Sequence, residues 1–470
     1  GMFFERVYDR GLAQASYLVG CQGSGTALVI DPKRDIEVYL AIAEREGLTI
    51  TKVTETHIHA DFLSGAQELA AATGAELLLS DEGGPEWQYQ MRHTPLRDGD
   101  TIDVGKLRLR VLHTPGHTPE HVSFLLFDPP SGPEPRMLFT GDFVFVGDVG
   151  RPDLLEEAAG VVGSREIGAR EMFASLRKLQ QLPDHVLVWP GHGAGSACGK
   201  SLGAVPVSTL GFERATAWAF SIEVEDQFVD ELLAGQPEPP RYFAMMKTLN
   251  RARPEDSVLL QPPAVATVPQ EHAVSLAAES RAQVVDLRDS EVAFQSPVPG
   301  AVNIPFDQGM VSWFGWLLDY QRDIYLVGAP EQQDAALRAL MSIGLDRVAG
   351  WIDAEDVDDT SAGEAPRVVS VDPEGAEEVM ARGATVVDVR GKSEFEEQSI
   401  PGARNVFLGY LEQRRAEIPG DKPVLVHCQG GYRSAIACSI LRNAGYREVY
   451  NLAGGFEAWK SHEAGSLTVG

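Results

Sequence analysis

Four strand-like segments in the first 195 residues each run into a histidine or an aspartate. The segment Thr49–Thr54 leads into the cluster Thr-His-Ile-His-Ala-Asp-Phe at 56–62, and three later segments lead into His117, Asp142 and His192. Open α/β sheets place their sites just beyond strand ends, so the chain must fold with these ends at one edge. Imidazole and carboxylate groups in this order predict a metal site, whereas a lone loop histidine would not.

Two later segments repeat the same order of short motifs. Val-Val-Asp-Leu-Arg at 284–288 matches Val-Val-Asp-Val-Arg at 386–390, and Pro-Gly-Ala-Val-Asn at 299–303 matches Pro-Gly-Ala-Arg-Asn at 401–405. In both segments the order is strand, loop, strand, helix and strand. This order predicts a duplicated α/β module with a parallel sheet.

The length of the chain and its loose stretches indicate the domain boundaries. A chain of 470 residues is expected to form about three domains. Proline-rich sequence at 253–263 and acidic, glycine-containing sequence at 353–366 are linker candidates. We therefore predict three domains, over residues 1–252, 264–360 and 366–470.

Charge and composition exclude several classes of partner. The chain has 40 basic and 68 acidic residues, a net charge of −28, which repels nucleic acid and anionic membranes. No apolar run approaches the roughly 18 residues of a membrane span, and the first residues do not read as a signal peptide. Four cysteines in so long a chain are not a disulfide framework. We expect a cytoplasmic protein without nucleic-acid or membrane partners.

A second reactive motif lies between a strand and a helix near the end of the chain. Its residues are Cys428, Gln429, Gly430, Gly431, Tyr432 and Arg433. A cysteine before a helix N-terminus meets backbone N–H groups, and a nearby arginine adds a full positive charge, so the thiolate is favoured. The two glycines let the amides turn inward. We predict that Cys428 is the nucleophile, that Arg433 is its cation, and that the four residues between them contact the substrate.

The histidine and aspartate pattern resembles the glyoxalase II-like branch of the metallo-β-lactamase superfamily. The resemblance covers the first predicted domain and implies an αββα sandwich. Hydrolytic members read His-x-His-x-Asp-His, and their final Asp-His feeds a second metal. Here Phe62 occupies the last position, and an apolar ring cannot be a ligand. A two-metal hydrolase is therefore disfavoured.

Persulfide dioxygenases of this branch keep a single metal. The resemblance maps its ligands onto His57, His117 and Asp142 and implies one Fe(II) per chain. Two imidazoles and one carboxylate leave coordination positions open on non-haem iron, although this spacing alone also suits mononuclear zinc. The other polar residues of the pattern would orient the ligands through hydrogen bonds: His59, Asp61 and His192.

Two further residues are candidates for contact with the substrate. In the dioxygenases the arginine that matches Arg151 helps to hold the carboxylate-bearing thiol carrier, although an ion pair with Asp153 is the alternative. Cys198 lies in a loop of small residues after His192 and is either a sulfur-accepting thiol or a small buried residue. Ala194 stands where glutathione-using members carry tyrosine, which disfavours glutathione as the carrier.

The Cys-x4-Arg motif resembles rhodanese domains, over residues 366–465. Asp-Val-Arg at 388–390 and the Asn-Leu-Ala-Gly-Gly run from 451 carry the resemblance further. Related phosphatases have a longer loop, so this shorter one fits a persulfide on Cys428. The middle copy has Ala329 at the position of this cysteine, and we predict that it is inactive.

Together these features resemble the persulfide dioxygenase–rhodanese fusion family. The fold expected is α/β: a metallo-β-lactamase αββα sandwich followed by two rhodanese-like domains with parallel sheets. The resemblance implies oxidation of a low-molecular-weight thiol persulfide by O2 to sulfite. It also implies sulfur transfer through Cys428 that forms or uses thiosulfate. A homodimer or homotetramer is expected. The alternatives are a mononuclear zinc thioester hydrolase with an attached sulfurtransferase, and a non-enzymatic sulfur carrier.

Overall fold

The computed structural model shows a chain that divides into two compact units. Unit 1 comprises residues 1–262 together with 341–344, and unit 2 comprises residues 263–340 and the chain from 345 onward. The residues that the structure describes are 1–154, 156, 162–358 and 366–468. Part of the predicted second linker, residues 359–365, lies outside them.

Unit 1 contains two mixed six-stranded sheets. The first sheet has the order β1-β2-β3-β4-β5-β6, and the second has the order β12-β11-β10-β9-β8-β7. The strands are β1 (Met2–Asp9), β2 (Gln14–Cys21), β3 (Thr26–Ile30), β4 (Thr49–Thr54), β5 (Glu76–Ser80), β6 (Thr94–Leu96), β7 (Thr101–Val104), β8 (Leu107–His113), β9 (Val122–Phe127), β10 (Pro135–Gly141), β11 (Leu187–Pro190) and β12 (Ser208–Thr209).

Helices cover the outer faces of both sheets. The helices of unit 1 are α1 (Glu37–Glu46), α2 (Ala66–Thr73), α3 (Ser164–Lys178), α4 (Leu210–Thr216), α5 (Trp218–Ser221), α6 (Glu225–Leu233) and α7 (Tyr242–Arg251). Alternate residues of β2 pack in opposite directions, because successive side chains of a strand point to opposite faces. Tyr17 and Val19 join the core between the sheets, whereas Leu18 joins the core beneath α1 and α2. A third core joins the second sheet to α3 and α6. The predicted αββα sandwich is confirmed.

Unit 2 contains two parallel sheets, with strand orders β14-β13-β15-β16 and β17-β21-β20-β18-β19. Their strands are β13 (Ala282–Asp286), β14 (Val302–Asn303), β15 (Asp323–Gly328), β16 (Val348–Asp353), β17 (Val368–Val371), β18 (Thr385–Asp388), β19 (Arg404–Asn405), β20 (Val424–His427) and β21 (Val449–Leu452). The helices are α8 (Gln270–Ala278), α9 (Ser290–Gln295), α10 (Met310–Leu317), α11 (Gln333–Ser342), α12 (Pro373–Ala381), α13 (Lys392–Glu397), α14 (Leu411–Arg414), α15 (Tyr432–Asn443) and α16 (Gly455–Thr468).

The two sheets of unit 2 share the register that the repeated motifs predict. Asp286 pairs with Asn303 in the first sheet, and Asp388 pairs with Asn405 in the second, both between parallel strands. The parallel sheets that the sequence predicts are therefore confirmed. Within the described part of the chain, every helix is too short or too polar to cross a lipid bilayer.

Candidate metal centre and sulfur-transfer loop

The three predicted metal ligands converge at one edge of the sandwich in unit 1. His57 follows β4, His117 follows β8, and Asp142 follows β10 directly. Asp142 Oδ2 lies 3.4 Å from His57 Nε2 and 3.3 Å from His117 Nε2. Atoms that bind one cation at about 2.1 Å lie about 3.0–3.4 Å from one another, so these separations fit a shared metal ion.

The same three atoms lack hydrogen-bond partners among the described residues. His57 Nε2, His117 Nε2 and Asp142 Oδ2 are all buried and unpaired. An unpaired buried polar atom costs free energy, so three of them facing one point indicate a missing common partner. The donor set of two imidazoles and one carboxylate therefore fits a single metal ion.

Hydrogen bonds at the far side of each ring select the tautomer that can bind a metal. His117 Nδ1 donates to the carbonyl of Arg151 at 2.8 Å, and His57 Nδ1 lies 2.8 Å from the hydroxyl of Thr56. The Thr56 hydroxyl donates to Asp31, so it accepts from His57 Nδ1, and the Nε2 of each ring keeps its lone pair. Burial, together with the neighbouring His59, holds the pKa of His57 well below its ordinary value, so the ring is neutral.

His192 bridges two carboxylates beside the predicted ligands. Its Nδ1 lies 2.6 Å from Asp142 Oδ1, and its Nε2 lies 2.5 Å from Asp61 Oδ2. Burial opposes protonation, but the two carboxylates prevail and raise the pKa of His192 well above its ordinary value. A protonated ring donates both N–H groups and offers no lone pair to a metal. This geometry matches the orienting role that the sequence suggests for His192 and Asp61.

His59 points to a carboxylate that the sequence analysis did not single out. Its Nε2 lies 2.9 Å from Asp31 Oδ1, and Asp31 also accepts hydrogen bonds from the backbone N–H and hydroxyl of Thr56. Asp31 has a positive φ of 56°, which is uncommon for a residue other than glycine. One buried carboxylate thus fixes both His59 and the residue that precedes His57.

The surroundings of the predicted ligands include Phe62, whose ring cannot bind a metal, and Cys198, whose sulfur can. The Phe62 ring is fully buried, and its centroid lies 4.4 Å from that of His59. The sulfur of Cys198 and ligand atoms of Asp61 and His192 lie within 4.8 Å of one another. Cys198 is therefore close to the predicted metal site. Burial raises the pKa of its thiol well above the ordinary value, and the nearby Asp142 adds to this effect.

Arg151 makes the ion pair with Asp153 that the sequence offers as the alternative to a substrate anchor. Its guanidinium is 1% exposed and makes two hydrogen bonds to Asp153, at 2.7 and 2.8 Å. The remaining nitrogen donates to the carbonyls of Ala197 and Pro237. These bonds engage all three guanidinium nitrogens, so the pairing with Asp153 is what the structure supports. Arg151 connects the His117 ring to the loop that carries Cys198.

Helix α7 fastens the loop between His57 and Ser64 through three side chains. Asn250 donates to the carbonyls of His59 and Phe62 and accepts from the N–H of Ser64. Two flanking residues also donate to loop carbonyls: Tyr242 to Asp61 at 3.0 Å, and Lys247 to Ile58 at 3.2 Å. The geometry of the metal loop therefore depends on a helix that lies almost 190 residues later in the sequence.

A cavity of about 380 Å³ lies beside the predicted ligands in unit 1. The residues that line it include His117, Ile58, Trp87, Lys247 and Arg251. Burial lowers the pKa of Lys247 below its ordinary value, and the neighbouring Glu120 offsets only part of this effect. This volume is in the range of sites that bind small molecules.

In unit 2 the second motif forms a tight turn between β20 and α15. Gly431 has a φ of 118°, and its N–H donates to Cys428 Sγ at 3.0 Å. The sulfur also lies 3.5 Å from the hydroxyl of Ser434. The loop therefore presents one hydrogen-bond donor to the sulfur, the inward-turned N–H of Gly431.

The charged and polar residues of this loop are held by partners that the sequence analysis missed. Arg433 pairs with Glu394 at 2.8 and 3.1 Å. Gln429 accepts a hydrogen bond from Arg390, and the hydroxyl of Tyr432 donates to the carbonyl of Pro305. Gln429 and Tyr432 are thus engaged within unit 2, and their contact with the substrate stays a prediction.

Comparisons with known proteins agree with this architecture. Residues 9–192 match the model of the metallo-beta-lactamase superfamily, and residues 372–462 match that of the rhodanese-like domain. A metallo-beta-lactamase from Staphylococcus aureus subsp. aureus COL is 45% identical, with a TM-score of 0.70, over 75% of this chain and 99% of that one. The chain belongs to the metallo-beta-lactamase superfamily. It carries a rhodanese-like domain after the metallo-beta-lactamase domain.

Relatives with curated names cover only parts of this superfamily member. A hydroxyacylglutathione hydrolase from Rhodospirillum rubrum is 37% identical over 176 residues, which are 37% of this chain and 60% of that protein. The uncharacterized protein YqhL from Bacillus subtilis is 50% identical over 78 residues, 17% of this chain and 62% of that protein. The chain spans 58–66% of the length of the hydroxyacylglutathione hydrolases that it matches.

Proposed function

We propose that the metallo-beta-lactamase domain is a mononuclear iron persulfide dioxygenase. The reaction is R–S–SH + O2 + H2O giving R–SH, sulfite and two protons. The observation that carries the proposal is the set of three unpaired ligand atoms on His57, His117 and Asp142. Phe62 occupies the position from which a hydrolytic second metal would draw a ligand, and His192 is paired with two carboxylates.

Some residues would bind the metal, and others orient the residues that bind it. His57, His117 and Asp142 would bind Fe(II), which supplies open coordination positions where sulfur and O2 react. The Arg151 carbonyl and the Thr56 hydroxyl keep both imidazoles in the metal-binding tautomer.

For the rhodanese-like domain we propose sulfur transfer through Cys428. The thiolate attacks the outer sulfur of thiosulfate, the S–S bond breaks, sulfite leaves, and a cysteine persulfide forms. The reverse reaction makes thiosulfate from sulfite. The Gly431 N–H and the first turn of α15 stabilise the anionic sulfur in both directions. Both domains belong to one chain, so each molecule that forms sulfite also carries the thiol that would use it.

Residues 264–360 fit a second rhodanese-like domain that does not transfer sulfur. Their sheet repeats the parallel register of the last domain, and Ala329 follows its central strand where Cys428 follows β20.

The four cysteines are unpaired, which suits the reducing compartment that we infer, the cytoplasm. The dimer or tetramer stays a prediction, which the mass in solution tests.

A mononuclear zinc thioester hydrolase is the second candidate for the metal domain. The similarity to hydroxyacylglutathione hydrolases favours it, and the same ligand set accommodates zinc. A thioester hydrolase needs neither O2 nor a sulfurtransferase in the same chain, so the presence of the rhodanese-like domain favours persulfide chemistry.

One experiment separates the two candidates. The purified protein is analysed for metal, and O2 uptake is recorded with persulfides of glutathione, coenzyme A and bacillithiol. Thioester cleavage is measured on the same sample. We expect about one iron per chain and O2 uptake that depends on a persulfide. One zinc per chain with thioester cleavage in the absence of air would refute the dioxygenase. A protein with no metal-dependent activity would support the sulfur carrier.

A further inference from the structure

The cavity beside His117 must bind its ligand without the help of Arg151. That guanidinium is buried and bonded to Asp153 and to two backbone carbonyls. The cavity walls carry two other cationic side chains, Lys247 and Arg251, both on α7. A protein with a net charge of −28 needs such a local cation to attract an anionic substrate.

Lys247 is the deeper of these two cations. It is 8% exposed, while its ammonium donates to the carbonyl of Ile58 at 3.2 Å and lies 5.3 Å from the centre of the Trp87 ring. Ile58 directly follows the predicted ligand His57, so the ammonium sits where the cavity reaches the metal loop. Arg251 donates instead to the carbonyls of Gln88 and Pro85 near the cavity rim.

The position of Lys247 suits a small anion that must also reach the metal. An ammonium has three N–H donors, and the Ile58 carbonyl accepts one. His117 lines the same cavity and has its Nε2 in the ligand cluster. The Lys247 side chain and the His117 ring thus line one cavity, and a ligand that fills it can contact both. The lining also includes the acidic Glu86 and Glu171, which repel an anion, so the attraction comes from Arg251 and from the more buried Lys247.

We propose that Lys247 binds the anionic sulfur group of the substrate and product, namely the terminal sulfur of a persulfide and the sulfite formed from it. This inference rests on the proposed dioxygenase and deepens it. A neutral thioester has no anion at its reacting end, so the same lysine selects persulfides over thioesters. The contact is a charge-assisted hydrogen bond that adds no covalent step.

The test uses the full-length, metal-loaded protein with Cys428→Ser in every sample, so that sulfur transfer does not consume the ligand. Lys247→Met removes the charge at similar length, and Lys247→Arg keeps it. Lys178→Met is the matched control, since Lys178 also donates to a backbone carbonyl but lies outside the cavity lining. Metal content, anaerobic binding of inorganic sulfite by calorimetry, and the KM of persulfide-dependent O2 uptake are measured for each.

We expect Lys247→Met to weaken sulfite binding and to raise the persulfide KM by about 10- to 100-fold. Lys247→Arg should recover most of this loss, and Lys178→Met should match the parent, with metal content unchanged in all three. Equal sulfite affinity in Lys247→Met and the parent overturns the inference. Loss of metal in both Lys247 variants overturns it too, because the lysine would then only support the loop.

The two proposals fail in different ways. If the parent takes up no O2 with any persulfide while Lys247→Met still loses sulfite affinity, the dioxygenase is refuted and the anion site stands. If O2 uptake is present and neither binding nor KM responds to Lys247→Met, the dioxygenase stands and the anion site is refuted.

Discussion

Replacing Asn250 with alanine tests whether α7 determines the geometry of the metal loop. The Asn250 side chain is 4% exposed and makes three hydrogen bonds, to His59, Phe62 and Ser64, at 2.7–2.9 Å. Asn250→Ala leaves two buried carbonyls and one buried N–H without partners. At about 1 kcal/mol for each broken bond, we expect the free energy of loop opening to fall by about 3 kcal/mol. The population of the open loop then rises roughly 100-fold.

Hydrogen–deuterium exchange of peptides that span residues 58–66 measures this opening directly. The Ser64 amide is itself one of the bonded groups, so its exchange should accelerate by about the predicted factor. Thr248→Ala is the matched control, because that exposed hydroxyl bonds only within its own helix. We also expect Asn250→Ala, and not the control, to release metal faster to a chelator. Equal protection of these peptides in the two variants would refute the claim that α7 holds the loop.

Four further outcomes follow from the contacts of particular residues. His117→Ala should empty the metal site while His185→Ala leaves it filled; stoichiometric metal in the first variant would contradict the ligand assignment. Cys428→Ser should abolish thiosulfate sulfurtransfer and leave persulfide-dependent O2 uptake largely intact, and the joint loss of both would show that the domains are not separable. Arg151→Lys should lower the melting temperature by several degrees without a change in persulfide KM, whereas a large rise in KM would restore its role as anchor. Because burial raises the pKa of Cys438 far above its ordinary value, iodoacetamide at pH 8 should leave this thiol unmodified in the folded protein, and mass spectrometry that finds it alkylated would contradict this.

The motifs predicted the fold and the candidate ligands because both follow from local periodicity. Alternation along a strand decides which face is buried, and a histidine or aspartate just past the strand end is then placed at the edge of the sheet. The repeated Asp and Asn positions predicted a parallel register, which the pairs Asp286–Asn303 and Asp388–Asn405 confirm. The loop around Cys428 was equally visible, because its glycines and the following helix are contiguous.

The sequence did not predict the hydrogen-bond partners of the site residues, because those partners come from distant parts of the chain. The sequence alone left two roles open for Arg151, an anion anchor and an ion pair with Asp153. In the structure its guanidinium bonds to Asp153 and to the carbonyl of Ala197, in the loop before Cys198. Asp31 carried one possible signal, its position directly after a buried strand. Glu394 is the third residue of a short helix that contains other glutamates, so nothing in the sequence singled it out as the partner of Arg433.

The amino-acid sequence by itself determined which groups could bind a metal, which thiol could carry sulfur, and that Phe62 offers no ligand. Only the tertiary structure decided which ring nitrogens are unpaired and which cation faces the cavity. Long-range packing brings Lys247 and Asn250 to a loop almost 190 residues away, and no local pattern encodes a contact over that separation.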